Sequence, residues 1–459
     1  MYDGARRGRH RVSALVAAGL LAGVVLAGCD SSSSSSAGPG PSSPPTSSAP
    51  VQLPKQTLTF GVIGASAEIA AYRQMASRFA PLNRQVTVQV ESWPDEDAMI
   101  ADLRNGAKVP DVFLAARRDL AWLDQHQLVQ PVDQLLDDRG VDFGDDYPRT
   151  SLTAFGTDNR LDCLPYDIDP SVIFINKRLV HFRRMKVDPP AAGQGWTLDQ
   201  FAATARWAVR HHPGVTGAYL GRTIDGVGPF VLSGGGQLFA GGEPPSSLGL
   251  SSPASQQALT RTRRALRGKH LTLSQAQLAR RTPEQWFADG RLAMIEATRR
   301  LVPQLRSRLG LDFDVMPMPS LGSPATTGEL TGLCVSRRAR DSGTAADFVV
   351  YASSPDALGE VASAGYLQPA NQTAALSNAF LQPGHLPKHA SVFTFSVKSM
   401  VYPPVLGQWD ELDAAVSPML EHLFRSPPSR IPALTRRIDA ASRPILGTTT
   451  EGASPGTGG

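Results

Sequence analysis

The chain has 459 residues, 41% of them apolar and 19% charged, enough to build more than one packed core and too apolar for wholesale disorder. Its three cysteines exclude a disulfide scaffold. The net charge of +4 comes mostly from Arg6, Arg7, Arg9 and Arg11 beside Asp3; the rest of the chain holds 41 basic and 40 acidic side chains, which leaves no electrostatic footprint for nucleic acid.

Residues 1–11 are polar and cationic, and residues 12–25 are an unbroken run of fourteen small or apolar side chains. That run is short of the ~20 residues that span a bilayer. A charged start, a short apolar run and a small-residue end predict a secretory signal over 1–28. Leu26, Ala27, Gly28 and Cys29 resemble a bacterial lipobox, which implies cleavage before Cys29 and a diacylglycerol on its sulfur. Two acyl chains hold a protein stably on a membrane. The alternative is a plain signal peptide with an unrelated cysteine. Residues 30–50 contain ten Ser and five Pro, so 29–54 reads as a solvated tether. Residues 447–459 read as a disordered tail.

From Gln56 the pattern changes. Leu58, Phe60 and Val62 alternate with polar or small residues and predict a strand. Ile69, Tyr72, Ala76 and Phe79 recur at helical spacing, and Pro81 is expected to stop that helix. Val86, Val88 and Val90 predict a second strand, residues 95–105 a helix with Gly106 as its C-cap, and residues 110–115 a third strand. Strands alternating with helices imply a parallel sheet with crossover helices. Further on, Ser252 before Pro253, Ser354 before Pro355 and Ser417 before Pro418 predict helix starts, as does Thr282 before Pro283 with Gln285 three residues after the cap. Strands are expected near Asp312 and Gly332. The chain shows no internal repeat.

Six segments in order carry a resemblance: 105–115 with its Pro110, Asp111 and Val112; 164–180 around Tyr166 and Asn176; 195–208; 232–239 with its three glycines; 286–297 ending in Met294 and Glu296; and 331–355. Together they resemble family 1 extracellular solute-binding proteins, the maltose-binding-protein-like sugar receptors of ABC importers. Ile175 stands where that family usually has Tyr, and Leu198 where it often has Trp. The resemblance implies an α/β, two-lobe, periplasmic-binding-protein type II-like fold with hinge crossover strands. Lobe I would comprise 55–166 plus 330–377, and lobe II 169–329 plus 378–446. Ligand would sit between the lobes, which close by hinge motion. Open parallel sheets leave crevices at their strand ends, so the residue pattern agrees.

A sugar site needs aromatic faces for ring faces and polar groups for hydroxyls. Trp93, after the second strand, reads as a cleft residue or a rim Trp packed on one lobe. Glu68 reads as a hydroxyl acceptor or a first-turn acid favoured by the helix dipole. Asp111 is either ligand-facing or structural. Arg117, Arg118 and Asp119 follow the third strand, where the family presents polar ligand groups; a solvated helix start is the alternative. Tyr166, Asp167 and Asp169 lie at the crossover, and Asp169 matches a position where relatives take sugar hydroxyls, against an Asx-turn cap. Asp225 matches a cleft-facing position or is a turn residue. Arg299 and Arg300 stand where relatives often place an aromatic platform. Guanidinium groups fork-bond carboxylate or phosphate, so an anionic solute is the competing expectation, unless acidic neighbours neutralise them. Tyr402 and Trp409 are stacking candidates or core. Trp286 is expected in the core. In the resembled fold the strands of Cys163 and Cys334 run side by side through the hinge, so a bridge between them is expected, with two buried thiols as the alternative.

Catalytic signatures are missing. There is no nucleophile elbow, zinc-binding His pair on a helix or phosphate loop, and His385 and His389 are separated by Pro387. No cofactor or metal is expected. The expected function is a lipid-anchored, monomeric receptor on the outer face of the membrane. It would pass a sugar-like solute to ABC permease subunits without covalent chemistry and bind no nucleic acid. The alternatives are a binder of a glycerophosphodiester or other anion, a surface hydrolase of carbohydrate acting through Asp169 or Asp225, and an adhesin.

Overall fold

A computed structural model describes residues 55–447, apart from 84, 142, 145, 158–159 and 186–194. The expected signal over 1–28, the Cys29 lipidation site, the tether to 54 and tail residues 448–459 lie outside the described residues.

The first sheet is built from β1 (Gln56–Ile63), β2 (Val86–Trp93), β3 (Val112–Ala116) and β4 (Val129–Gln130), together with β5 (Cys163–Pro170). The second contains β6 (Val172–Asn176), β7 (Thr216–Tyr219), β8 (Leu292–Ala297) and β9 (Phe313–Met316). The chain then returns to the first sheet with β10 (Gly328–Ser336). The first sheet runs β2-β1-β3-β10-β4 with β5 beside β10, and the second runs β9-β6-β8-β7. β1 pairs in parallel with β2 and β3, as the alternation predicts, whereas β10 is antiparallel to both β3 and β5. Only Ser171 separates β5 from β6, so one continuous chain passes from sheet to sheet, and β10 returns beside it.

The helices that matter are α1 (Ser66–Ser77), α2 (Phe79–Leu82), α3 (Glu96–Arg104), α4 (Leu198–His211), α5 (Ile224–Ser233), α6 (Pro253–Ala265), α7 (Pro283–Ala288), α8 (Ser342–Ala352), α9 (Pro355–Ala362), α10 (Trp409–Arg425) and α11 (Ile431–Leu446). α3 starts at Asp95, whose carboxylate accepts the Ala98 N–H at 2.8 Å. Thr282 and Gln285 form the capping box of α7. Ser252 and Ser354 cap α6 and α9 with proline in the first turn.

Two expectations fail. Pro81 does not stop α1: the break falls at Arg78, and Pro81 lies in the first turn of α2, where a missing N–H costs nothing. Ser417 and Pro418 do not start a helix but lie inside α10. An interior proline costs about 3 kcal/mol. Burial of Leu412, Val416, Leu420 and Leu423 against α11 and α5 outweighs that cost at ~1.5–3 kcal/mol per side chain.

The first sheet's core holds Phe60, Phe79 and Phe348, whose rings meet edge-on. A second core gathers Ile175, Trp196, Phe201, Phe230 and Met294. Trp286, expected inside, is only part-buried, and its neighbour Phe287 takes the core position. Cys163 and Cys334 face each other across β5 and β10 and are joined by a disulfide, with Cα atoms 4.4 Å apart.

Candidate functional site

Parallel strands bring their carboxyl ends to one edge, so the segments that leave those ends face the same way. After β2 comes the start of α3 with Asp95, Glu96 and Asp97; after β3 comes a tight turn, Arg117–Asp119. These elements, the amino end of β10 and the first turns of α5 and α10 enclose a cavity of about 210 Å³. Its polar walls are Asp95, Glu96, Asp97, Arg117, Arg118, Asp225, Glu329 and Thr331, and its apolar walls are Ala116, Leu330, Pro403 and Trp409, with Gly328 at the strand start. An adjoining cavity of about 360 Å³ shares Asp97 and Arg118 and adds Ile100, Arg104, Asp119, Asp410 and Asp413.

Asp225 sits in the first turn of α5, behind the Thr223 N-cap. A Cβ at Gly226 would collide with the backbone of Gly221, so glycine is what lets α5 approach this closely. Burial pushes the Asp225 carboxyl up to about 6; Asp413 adds to the rise and Arg118 opposes it. Its Oδ1 is buried without a hydrogen-bond partner among the described residues. Glu329 keeps 60% of its side-chain exposure and faces Arg300 at 3.4 Å. Asp119 is raised to about 7 by burial, and Arg118 works against the shift.

The arginines are already engaged. Arg117 donates through Nε to the Ala154 carbonyl and through Nη1 to the Pro403 carbonyl, and burial lowers it to about 10. Arg118 donates to Asp413 at 2.7 Å, its guanidinium 5.8 Å from the Trp409 ring centroid. Trp409 is held edge-on against Phe239 at 5.8 Å.

Of the twelve expected ligand residues, the structure brings Arg117, Arg118, Asp225 and Trp409 together at the cavity. Four others lie away from it. Asp111 lies at the far end of β3 from the cavity and accepts the Thr59 N–H and hydroxyl, each at 2.8 Å, and the Arg340 N–H at 3.2 Å; it ties strands together. Tyr166 is buried beside Tyr72, with ring centroids 6.3 Å apart. Asp169 is fully buried and accepts the backbone N–H groups of Arg299 and Arg300 at 2.8 and 3.3 Å, which makes it a turn cap. Arg299 is fully buried, donates to the Phe380 carbonyl at 2.8 Å and stacks 4.0 Å from the Phe380 ring centroid.

Glu68 and Arg300 pair with each other at 2.9 Å, and Arg300 also faces Asp167 at 3.7 Å and Glu329 at 3.4 Å. Three carboxylates thus neutralise the cation that prompted the anionic reading. Trp93 donates its indole N–H to Asp102 at 2.7 Å and lies outside the cavity wall. Tyr402 packs part-buried on the core next to Pro403, which does line the cavity. Asp95, Glu96, Asp97, Glu329 and Asp413 were not anticipated. The usable signal was that Asp95 to Asp97 follow a parallel strand directly.

The family of bacterial extracellular solute-binding proteins has a model that matches residues 74–388. No curated protein matches the chain. Among solved structures, an ABC substrate-binding protein from Listeria monocytogenes in complex with cycloalternan is similar with a TM-score of 0.71 at 20% identity, over 84% of this chain and 98% of its own. The sugar-binding protein MalE from Xanthomonas citri gives 0.70 at 16% identity, over 87% and 100%. UgpB from Mycobacterium tuberculosis, in complex with glycerophosphocholine, gives 0.69 at 18% identity, over 86% and 99%. These likenesses show the two-lobe, maltose-binding-type α/β fold.

Proposed function

The chain belongs to the bacterial extracellular solute-binding protein family, and from that premise we propose that it captures a sugar-like solute in the cavity between its lobes and hands it unaltered to the permease of an ABC importer. In this reading the lobes are 55–166 with 330–377 and 169–329 with 378–446. The protein works outside the cytoplasm as a monomer, held to the membrane by lipid on Cys29, and does no covalent chemistry.

One observation carries the reading. A cavity bounded by β3 and β10 of the first sheet and by the first turns of α3, α5 and α10 combines carboxylates that accept hydroxyl protons with an aromatic wall at Trp409. Against the competing anionic solute stand the burial of Arg299 in the core and the three carboxylates, Glu68, Asp167 and Glu329, around Arg300. A thermal-shift screen of oligosaccharides tests the proposal. A stabilising saccharide whose effect falls in both Asp225→Asn and Trp409→Phe supports it. A complete panel without any shift overturns it.

A further inference from the structure

Resting on the solute-receptor reading, we infer that the solute of this cleft carries a positively charged nitrogen, as an amino sugar does, so that the receptor selects a cationic saccharide over its neutral counterpart. The charge of the walls points there. Beyond its first eleven residues the chain is almost neutral, yet the first cavity presents five carboxylates against two arginines, and of the five only Glu329 has an arginine partner among the described residues, Arg300 at 3.4 Å. The adjoining cavity adds Asp119, Asp410 and Asp413 against Arg104.

Those arginines do not balance the account. Arg118 is spent on Asp413 and Arg104 on Asp410, at 2.7 and 3.4 Å. Arg117 points its Nε and Nη1 at carbonyl oxygens, not at a carboxylate. Asp225 and Asp119 each keep a buried oxygen with no hydrogen-bond partner among the described residues. A buried, unpaired carboxylate is costly, and only a partner that brings a positive charge removes the cost fully. A neutral hydroxyl supplies one proton and leaves the field uncompensated, and an anion worsens it. Trp409 adds an aromatic wall, and the Arg118 guanidinium near its ring shows that the surroundings accommodate a cation.

The groups facing Asp225 are Asp413 from α10, Arg118 from the turn after β3, Glu329 from β10, Glu296 from β8 and the acids at the start of α3. Arg117 lines the same cavity, and apart from the two arginines all are carboxyls. Burial, with Asp413 and Glu329 beside it, puts Asp225 at about 6, so acid pH removes the charge at the centre of the wall.

The experiment is a calorimetric titration of the full-length protein in detergent with two probes of equal length: the glucosamine disaccharide and its N-acetylated, neutral form. Near neutral pH the amino form should bind at least about tenfold more tightly. That preference should weaken at about pH 5, where the Asp225 carboxyl is protonated, and fall in Asp225→Asn and Glu329→Gln, whose folding is checked by their melting curves. Equal affinity for the two probes, or a preference for the neutral form, overturns the cationic solute and leaves the receptor reading standing. If neither probe binds and no neutral oligosaccharide does either, both readings fall.

Discussion

Two Arg-Arg pairs occupy equivalent places in the two sheets. Arg117 and Arg118 follow β3, and Arg299 and Arg300 follow β8, each pair in a tight turn. The first arginine of each turns into protein and donates to a carbonyl: Arg117 to Ala154 and Pro403, Arg299 to Phe380. The second reaches from its own sheet's side to a carboxylate on the opposite side: Arg118 to Asp413 of α10, Arg300 to Glu68 of α1. The surroundings differ. Glu68 is fully buried and its partner Arg300 is hemmed in by three carboxylates, whereas the Arg118 and Asp413 side chains keep 40% and 30% of their exposure. The same dipeptide therefore makes a pair on a fully buried carboxylate at the crossover and a pair with both partners part-exposed at the cavity.

The largest expected effect breaks the pair at the crossover. Arg300→Met removes the cation that faces the buried Glu68 and Asp167, and should cost about 3–5 kcal/mol, read as a drop in melting temperature. Next comes the bridge beside it. Cys163→Ala with Cys334→Ala opens a loop of 171 residues' separation and should cost about 2–5 kcal/mol by denaturant titration.

A smaller effect is a pH slope. Burial raises the Glu296 carboxyl to about 8, with the Gly221 N–H opposing, and Asp225 is raised as well. A carboxyl whose folded pKa is raised binds its proton more tightly in the folded state. Its stabilisation is full below the unfolded value near 4.5 and is lost as pH rises through the folded value. The ligand-free protein should therefore melt a few degrees higher at pH ~5 than at pH ~8.5, and Glu296→Gln should flatten that slope. The smallest effect is at the cavity pair: Arg118→Met should change stability by less than about 1 kcal/mol while weakening solute binding.

The framework was readable because its signals are local. Alternating Leu58, Phe60 and Val62, the Asp95 cap and the Thr282 box each act within a few residues. Ser417 and Pro418 mimicked a cap because the apolar stripe that keeps α10 continuous is satisfied only by α11 and α5. Arg117 and Arg118 were expected from their place after a strand and Asp225 and Trp409 from the resemblance, and all four line the cavity. The partners of Arg299 and Arg300 were not legible because Glu68, Asp167 and Phe380 are distant in sequence. Glu329 escaped notice because β10 runs antiparallel, so its amino end opens on the cavity. The acids at Asp95 to Asp97 look like any solvated helix start until α10 is seen opposite.

The most direct test is a crystal structure of the protein with the most stabilising saccharide. The account predicts the solute against Trp409, with Asp225 and Glu329 within hydrogen-bond distance. A solute seated instead in the separate groove lined by Met318, Phe395 and Lys398, with the Asp225 cavity empty, would contradict it.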